Sequence, residues 1–432
     1  MLLLTIITLG LLAYINYRVG GKAILYPPVV FCGVWAIILL LIWIVGDFFY
    51  PILPQTLMIF LGGALSFSLA SVVTLACLSF RSKSGNLRAE QGLPKWILNT
   101  LLCVVLCGAP LGYRWISSVV AQSSANFLAA AYLAMNDETR QADLDQSLFG
   151  NIVTLSVIVA MIAFRETWRG KMRASMAIML ALGMCLLTGG RSGIAGLVLA
   201  VIALSWLKGR RIHWKLMISL AMVALILFGA VAIALGKANS RPDATLADNA
   251  VPVVQGLVLY ACGGVVAFDR VIREPNVVPY NWKINRFFLQ TMNKFGAKFD
   301  VPSLHAGFVN VGPNGREQNV YTIYFAFLEW GISGMMVLIG FIGMVTTIAY
   351  KKAMEGSDVA SVMYGALFGG LVLSPYNEGF FFALNILIKI YAVSWLVYRF
   401  PVWWIRLREV ARKSVVASIA MGHGQGESLE DT

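Results

Sequence analysis

Charged side chains are scarce in this sequence, and acidic ones are the scarcer kind. Asp, Glu, Lys and Arg make up 13% of the 432 residues, whereas 59% are hydrophobic and the mean hydropathy is +0.75. A soluble domain of this length does not need so much apolar surface, so the composition excludes a soluble globular fold. It predicts an all-α, polytopic integral membrane protein for which lipid is the main solvent.

Histidine and cysteine are also rare, with three and six copies. Five of the cysteines fall inside apolar runs: Cys32, Cys77, Cys103, Cys107 and Cys185. Cys103 and Cys107 share a helix face, but no histidine or second cysteine pair lies nearby, and Cys262 has no evident disulfide partner. The sequence therefore predicts no metal site, and we expect no cofactor.

Basic residues are in excess and give the chain a net charge of +13. Most of them lie in short segments between apolar runs, which is the pattern of cytoplasmic loops in membrane proteins. No basic region with stacking aromatic residues stands apart from these runs. Nucleic acid is therefore not an expected partner.

Apolar runs of about 20 residues, long enough to cross a bilayer as a helix, recur along the chain. They predict about eleven spans, at 2–17, 26–46, 55–79, 96–118, 147–164, 174–189, 192–207, 216–236, 321–349, 359–375 and 380–399. The first run lacks a basic leader and a small-residue cleavage site, so we interpret it as a retained helix. The apolar stretch 253–268 is short and contains two adjacent glycines. Counting it would invert the charge pattern that follows, so we predict a re-entrant or interfacial segment.

Charges in the connecting loops predict the orientation and the organisation of the chain. An outside N-terminus and an inside C-terminus place the basic connections 81–95, 165–173, 208–215 and 351–352 in the cytoplasm. Four parts follow: a bundle of eight helices (1–236), a large extracytoplasmic loop (237–319), a three-helix membrane segment (320–400) and a basic cytoplasmic tail (401–432). The large loop carries nine basic and six acidic residues, so the outer face is basic.

Two arginines lie near the predicted outer ends of spans. Arg191, in "TGGRSG" (188–193), occupies a tight turn and the start of a helix, where open N–H groups, the helix dipole and a guanidinium would together attract phosphate. Arg114 lies near the outer end of the fourth span. Either side chain could instead extend to lipid headgroups and only fix its helix. Lys389, near mid-membrane, is either a structural pair or a cavity charge.

Several short motifs occur in a fixed topological order. They are "YPPVVFCGVWAIILLLIW" (26–43), "TGGRSG", the large loop and "GREQNVYTIYFAFLEWGISG" (315–334). In this combination the chain resembles the O-antigen polymerase and O-antigen ligase superfamily, and is more similar to the repeat-unit polymerases of the Wzy type. The resemblance extends over most of the length.

The resemblance implies a glycosyltransferase of the bacterial inner membrane. It would act on oligosaccharides linked to undecaprenyl pyrophosphate at the periplasmic face. The growing chain would leave its lipid pyrophosphate and join the non-reducing-end sugar of a new repeat unit, giving O-antigen or a related polysaccharide. The expected partners are these lipid-linked substrates, membrane lipid and a chain-length regulator. Guanidinium groups would stabilise the leaving pyrophosphate, so no metal is required.

The resemblance also implies roles for individual residues. Arg191 would hold the pyrophosphate, and Arg270 or Arg273 would assist it. The ligases have a histidine where this chain has Gln318, so a base must come from elsewhere, and the candidates are His305 and Glu317. The remaining candidates for substrate binding are Arg114, Arg316, Asn319, Tyr321 and Tyr376. Glu329 matches a glutamate of the ligase-like pattern, but a structural polar pair is its alternative role.

Two other functions stay open at this level. A ligase of the same superfamily would transfer finished glycan to another acceptor, although Gln318 in place of histidine disfavours it. A transporter or flippase of an anionic lipid-linked substrate would need paired halves and helices broken near mid-membrane, and the sequence has no internal repeat. Segment 281–298 interleaves basic and aromatic residues, which suits either anionic headgroups or a sugar channel. The turn 374–382 would bind sugar hydroxyls through Tyr376, Asn377 and Glu378, or be an ordinary polar turn.

Overall fold

A computed structural model describes residues 1–81, 93–120, 148–166, 171–187, 191–208, 246–275, 277, 283–302, 307–313 and 315–400. The helices in these residues are α1 (Leu2–Val19), α2 (Pro27–Val45), α3 (Pro54–Arg81), α4 (Lys95–Val120), α5 (Leu148–Glu166), α6 (Lys171–Leu187), α7 (Arg191–Leu207), α8 (Leu246–Arg273), α9 (Arg286–Lys294), α10 (Ile323–Phe327), α11 (Gly331–Met354), α12 (Asp358–Val372) and α13, which is described over 384–400. Strands β1 (Phe308–Gly312) and β2 (Arg316–Asn319) form an antiparallel hairpin. The protein is an all-α, polytopic membrane protein, as its composition predicts.

The predicted spans coincide with helices, except for 216–236, which lies outside the described residues together with the tail 401–432. Within the described part, seven helical segments are long and apolar enough to cross a membrane, and three shorter apolar helices accompany them. The span predicted over 321–349 is interrupted. A 3₁₀ turn, Leu328–Trp330, separates α10 from α11, and Gly331 follows it with φ of 69°. Glycine adopts this left-handed conformation without steric cost, so Gly331 permits the break.

The segment predicted as re-entrant, 253–268, is longer than its apolar run suggests. It forms the middle of the continuous 28-residue helix α8, of which Val254–Arg273 is long and apolar enough to cross a membrane. In the described residues, α8 packs mainly on the hairpin and on α2. Its position relative to the bilayer therefore stays a prediction.

Small residues allow the long helices to pack closely. A Cβ added to Gly343 of α11 would lie 2.6 Å from the carbonyl oxygen of Phe67 in α3. Ser66 and Ser71 of α3 donate their hydroxyls to the carbonyls of Met336 and Gly343. Such small-residue contacts with polar bonds are the usual means of helix association in lipid. Because the residue numbers increase together in both helices, α3 and α11 are parallel.

The remaining contacts define two ends of the bundle. At the hairpin end, named for β1 and β2, lie the start of α3, the start of α11 and the end of α12, since Ile323 N–H donates to the carbonyl of Ser374. Gly369 of α12 lies against Gly196, so the start of α7 is at this end too. At the opposite end, Arg165 pairs with Asp358 at 2.7 Å.

Candidate functional site

Loop 46–53 connects α2 to α3 at the hairpin end, and three arginines from two other elements converge on it. The guanidinium of Arg316, in β2, lies over the Phe48 ring with its carbon 4.0 Å from the centroid. The guanidinium of Arg270, in α8, lies 5.8 Å from the centroid of Tyr50. Arg273, also in α8, donates to the carbonyl of Pro51. Cation–π contacts and carbonyl bonds therefore hold three positive charges around one short loop.

Asp269 fixes this arrangement from inside the protein. Its carboxylate is fully buried and accepts from the backbone N–H of Leu53 at 2.8 Å and from the Thr56 hydroxyl at 2.6 Å. The other oxygen accepts from Arg273 Nε at 2.7 Å. One carboxylate thus caps the start of α3 and pairs with an arginine of its own helix. A buried charge is stable only with such partners, so Asp269 joins α8 rigidly to the loop.

The three arginines differ in the partners that their guanidinium groups bind. Arg273 is held by Asp269 and Pro51, which gives it a structural part in the site. Arg316 donates to the carbonyls of Phe48 and Pro313 at 3.4 and 3.0 Å. Arg270 pairs with Glu274 at 3.0 Å, and the Glu274 side chain is 51% exposed. An anion could therefore replace Glu274 on Arg270 at little cost, because exposed pairs contribute little energy.

The end of β2 packs into α8 where the two adjacent glycines lie. A Cβ on Gly263 would be 3.0 Å from Gln318 Cγ, and one on Gly264 would be 3.3 Å from the carbonyl oxygen of Pro375. The Gln318 side-chain amide donates to the carbonyl of Leu259 at 3.4 Å. Gln318 therefore fastens the hairpin to α8. Side chains alternate along a strand, so Glu317, which is exposed, lies on the other face of β2.

Asn319 and Thr322 follow at the junction of the hairpin and α10. Thr322 caps α10 by accepting from the N–H of Phe325 at 3.2 Å. Asn319 is 1% exposed, and its Oδ1 atom is buried with no hydrogen-bond partner in the described structure. Tyr321 is half-buried beside them. A buried amide oxygen without a partner is costly, so Asn319 has acceptor capacity that a hydroxyl donor would satisfy.

The turn after α12 supplies a second aromatic surface. Tyr376 stacks on Tyr260 of α8, with ring centroids 6.0 Å apart and an interplanar angle of 14°. Burial is the main cause that raises the pKa of the Tyr376 hydroxyl, and Cys262 and Tyr260 add to it. Asn377 is exposed. Tyr260 is 39% exposed, so the pair presents an aromatic surface at the protein exterior.

Glu378 has a different role from the sugar contact considered for it. Its side chain is buried, and it accepts from the backbone N–H groups of Phe380, Phe381 and Phe382 at 2.7–2.9 Å. Burial raises the pKa of the Glu378 carboxyl to about 7, although the three N–H bonds act in the opposite direction. Glu378 therefore shapes the turn that leads into α13 and does not face a ligand.

The remaining candidates lie apart from loop 46–53 or outside the described residues. Arg114 is exposed and lines a cavity of about 340 Å³ with Leu111, Trp115, Ser118 and Phe149. Arg191 is the first residue of α7, but its side chain and residues 188–190 lie outside the described part, as does His305. A Cβ added to Gly193 would lie 3.3 Å from Cys185 Sγ, and the turn predicted over 188–193 falls mostly outside the described residues. Lys389 was predicted to be either a structural pair or a cavity charge. Its Nζ atom donates to Asn151 Oδ1 at 2.8 Å, which favours the structural pair.

Sequence reasoning missed the residues that organise the arginines. Phe48, Tyr50 and Asp269 were not among the candidates, although "DFFYP" (47–51) carries three aromatic residues directly after a span. Such aromatic residues also occur at any membrane interface, so the signal was not specific. Glu329 lies in the 3₁₀ turn that interrupts the helix, rather than inside a regular span.

The arrangement offers guanidinium groups for an anion at loop 46–53 and, roughly 15 Å away along α8, an aromatic pair for a ring-shaped ligand. The cations are Arg270 and Arg316, and the aromatic surfaces are Phe48, Tyr50 and the Tyr260–Tyr376 pair. Within the described residues, no group of three or more His, Cys, Asp or Glu side chains is placed to hold a metal ion. Comparisons with protein-family models, curated proteins and solved structures give no match.

Proposed function

We propose that this protein is a membrane glycosyltransferase that polymerises oligosaccharide repeat units linked to undecaprenyl pyrophosphate. The supporting observation is the convergence of Arg270, Arg273 and Arg316 on the aromatic loop 46–53 at one end of the bundle. A lipid-linked diphosphate is an anion at the membrane surface and carries a sugar chain above it. Cations beside aromatic rings at a helix-bundle end match both parts of that ligand.

The proposed reaction exchanges one glycosidic bond for another. The anomeric carbon–oxygen bond to the pyrophosphate breaks, and its electron pair stays on the phosphate oxygen. A hydroxyl of the acceptor sugar attacks that carbon and loses its proton to a base, for which Glu317 and His305 remain the candidates. Arg270 and Arg316 stabilise the charge on the leaving pyrophosphate, and Arg191 assists from the start of α7.

The other residues position these groups. Arg273 and Asp269 hold α8 against loop 46–53, so that Arg270 faces the same region as Arg316. Tyr376 supports a sugar ring, whereas Asn319 accepts a sugar hydroxyl only after the hairpin end opens, because its Oδ1 atom is buried. Tyr321 lies at the same junction, and Arg114 contacts the substrate from its separate cavity. We further propose that the hairpin end faces the periplasm of the bacterial inner membrane and that a chain-length regulator associates with it.

The test is polymer formation from a lipid-linked repeat unit by the purified, full-length protein. In the Arg270→Lys variant, loss of the planar guanidinium should lower the rate about 100-fold. Arg18→Lys is the matched control, because Arg18 is exposed on α1 and makes the same chemical change. Wild-type rates in the Arg270→Lys and Arg316→Lys variants would remove Arg270 and Arg316 from the reaction.

The surface glycan of cells lacking the gene separates the three functions. Loss of the ladder with one remaining repeat unit on the core, restored by complementation, supports a polymerase. Loss of the single-repeat band as well points to ligation or flipping. Substrate that crosses vesicles without bond formation would favour a transporter.

A further inference from the structure

Helix α9 and the turn after it expose a stripe of large apolar side chains. Phe288, Met292, Phe295 and Phe299 are exposed, and Phe295 is the most exposed of them at 87%. Their spacing of four, three and four residues places Phe288, Met292 and Phe295 on one face of the helix. We refer to residues 286–299 as the anchor segment.

The anchor segment is held in a fixed shape despite its exposed apolar face. The Asn293 side chain donates to the carbonyl of Phe299 and accepts from the N–H of the same residue, both at 2.8 Å. Gly296, with φ of 95°, makes the turn between them. Arg286 is buried and donates to the carbonyl of Pro302. These bonds fix the turn that exposes Phe295 and Phe299. Exposing two aromatic rings to water costs free energy, and burying the rings would avoid that cost.

The charge of the segment has a single sign. Between 283 and 299 the sequence contains Lys283, Arg286, Lys294 and Lys298 and no acidic residue. Lys294 and Lys298 are exposed beside the aromatic stripe. Apolar side chains flanked by lysines are complementary to a lipid surface with anionic headgroups.

The anchor segment is attached to the bundle at the end where a candidate span meets the membrane surface. The 3₁₀ turn Lys283–Asn285 leads directly into α9 and contacts α10, and its Ile284 is buried in the main core of the bundle. Helix α10 is the first part of the candidate span Ile323–Met354. This span has 32 residues, more than the roughly 20 that cross the hydrocarbon, so α10 and the adjoining start of α9 lie at its surface end.

We infer that the anchor segment lies on the anionic lipid leaflet at the hairpin end, with Phe288, Met292, Phe295 and Phe299 in the acyl boundary and Lys294 and Lys298 at the headgroups. This inference does not depend on the proposed function. It places the segment as a membrane-surface anchor beside the candidate site, rather than as a wall of a sugar channel.

The test uses the full-length protein in nanodiscs of phosphatidylcholine with or without about 30% phosphatidylglycerol. Phe295→Cys and Asp300→Cys variants are treated with a membrane-impermeant maleimide, and the unsubstituted chain supplies the background of native cysteines. In anionic discs, the Phe295→Cys variant should react at least about 10-fold more slowly than Asp300→Cys. Adding either Lys294→Ala or Lys298→Ala should raise the rate of the Phe295→Cys variant about five-fold, and adding both should bring it to the rate of Asp300→Cys.

Equal rates for the two cysteine variants in anionic discs would place position 295 in water and overturn the inference. Slow reaction that is unchanged by the lysine substitutions and by lipid charge would also overturn it, because the cover would then not be an anionic leaflet. Protection that grows with protein concentration would assign the surface to a second copy of the chain instead. Activity is not the readout, so failure here is distinct from failure of the polymerase proposal.

Discussion

At the residue scale, the buried carboxylate of Asp269 stabilises the hairpin end by accepting hydrogen bonds from Leu53, Thr56 and Arg273. The Asp269→Asn substitution keeps the shape of the side chain but leaves Arg273 without its ion pair. Because Arg273 is partly exposed, we expect a loss of about 2 kcal/mol in stability, below the cost for a fully buried pair. Thermal unfolding in detergent measures it.

The control for Asp269 is Glu274→Gln, which breaks the exposed pair with Arg270 on the same helix. Its effect should stay below about 1 kcal/mol. Equal destabilisation by both substitutions would contradict a special role for the buried carboxylate.

Glu378 predicts a pH dependence of stability. In the unfolded chain its carboxyl ionises near its ordinary pKa of 4.5, whereas burial raises the pKa in the fold to about 7. Between these values the folded protein binds more protons, so stability is full below about pH 4.5 and falls as pH rises to about 7. The fall is about 3 kcal/mol.

In the Glu378→Gln variant the side chain at position 378 is neutral at every pH. The fall in stability between about pH 4.5 and 7 should therefore be absent from this variant. Unfolding midpoints of the two proteins, measured between pH 4 and 8, provide the comparison. A wild-type profile that is no steeper than that of the Gln variant would show that the Glu378 carboxyl ionises normally in the fold.

At the element scale, the contact between α3 and α11 has no room for an extra methyl group. Gly343→Ala would place Cβ 2.6 Å from the Phe67 carbonyl oxygen and 3.0 Å from Ser71 Oγ. We expect a loss of about 1–3 kcal/mol as the helices separate. At Gly33, in α2, an added Cβ would meet no atom of another element within 4 Å, so Gly33→Ala should instead gain up to about 1 kcal/mol from helix propensity.

Both glycine variants would be compared by thermal unfolding in the same detergent. If Gly343→Ala were as stable as Gly33→Ala, the close approach of α3 and α11 would not contribute to stability.

Most helices were predictable because an apolar run of fixed length is a local signal. The length of α8 was not, because its apolar run, 253–268, ends at the charged residues Asp269 and Arg270. Asp269 and Arg273 neutralise each other within the helix, and the start of α3 supplies further donors, so the helix continues through its charges. That compensation depends on residues 216 positions apart, and no local pattern reports it.

The candidate site was predictable only as a set of residue types. Three of the predicted arginines do meet, but their meeting point is loop 46–53, which the motifs did not include. The convergence arises from the packing of β2 and α8 against the end of α2, and Gly263 and Gly264 permit it. In the sequence, the two adjacent glycines are the signal of this long-range packing, and they do not indicate which residues pack against them.

At the scale of the whole molecule, the two ends of the bundle must face opposite sides of the membrane. Asp47 and Asn377 lie at the hairpin end, whereas Lys22 and Glu355 lie at the other end. Cysteine variants at the first pair should therefore react with an impermeant maleimide from one side, and variants at the second pair only from the other.

Intact cells and inverted vesicles provide the two sides for this measurement. Labelling of the Asp47→Cys and Asn377→Cys variants in intact cells would also support the proposed orientation. Labelling of Asp47→Cys and Glu355→Cys from the same side would contradict the arrangement of the bundle.

The bonds from Ser66 to Met336 and from Ser71 to Gly343 join residues about 270 positions apart. A ribosome adding about 5–20 residues per second reaches α11 roughly 10–50 s after α3 has left it. During that interval α3 lies in the membrane without the neighbour that its small and polar face fits. Helix α3 must therefore persist in the membrane without this partner for a long time on the scale of membrane insertion. The last third of the chain completes the packing of the first third.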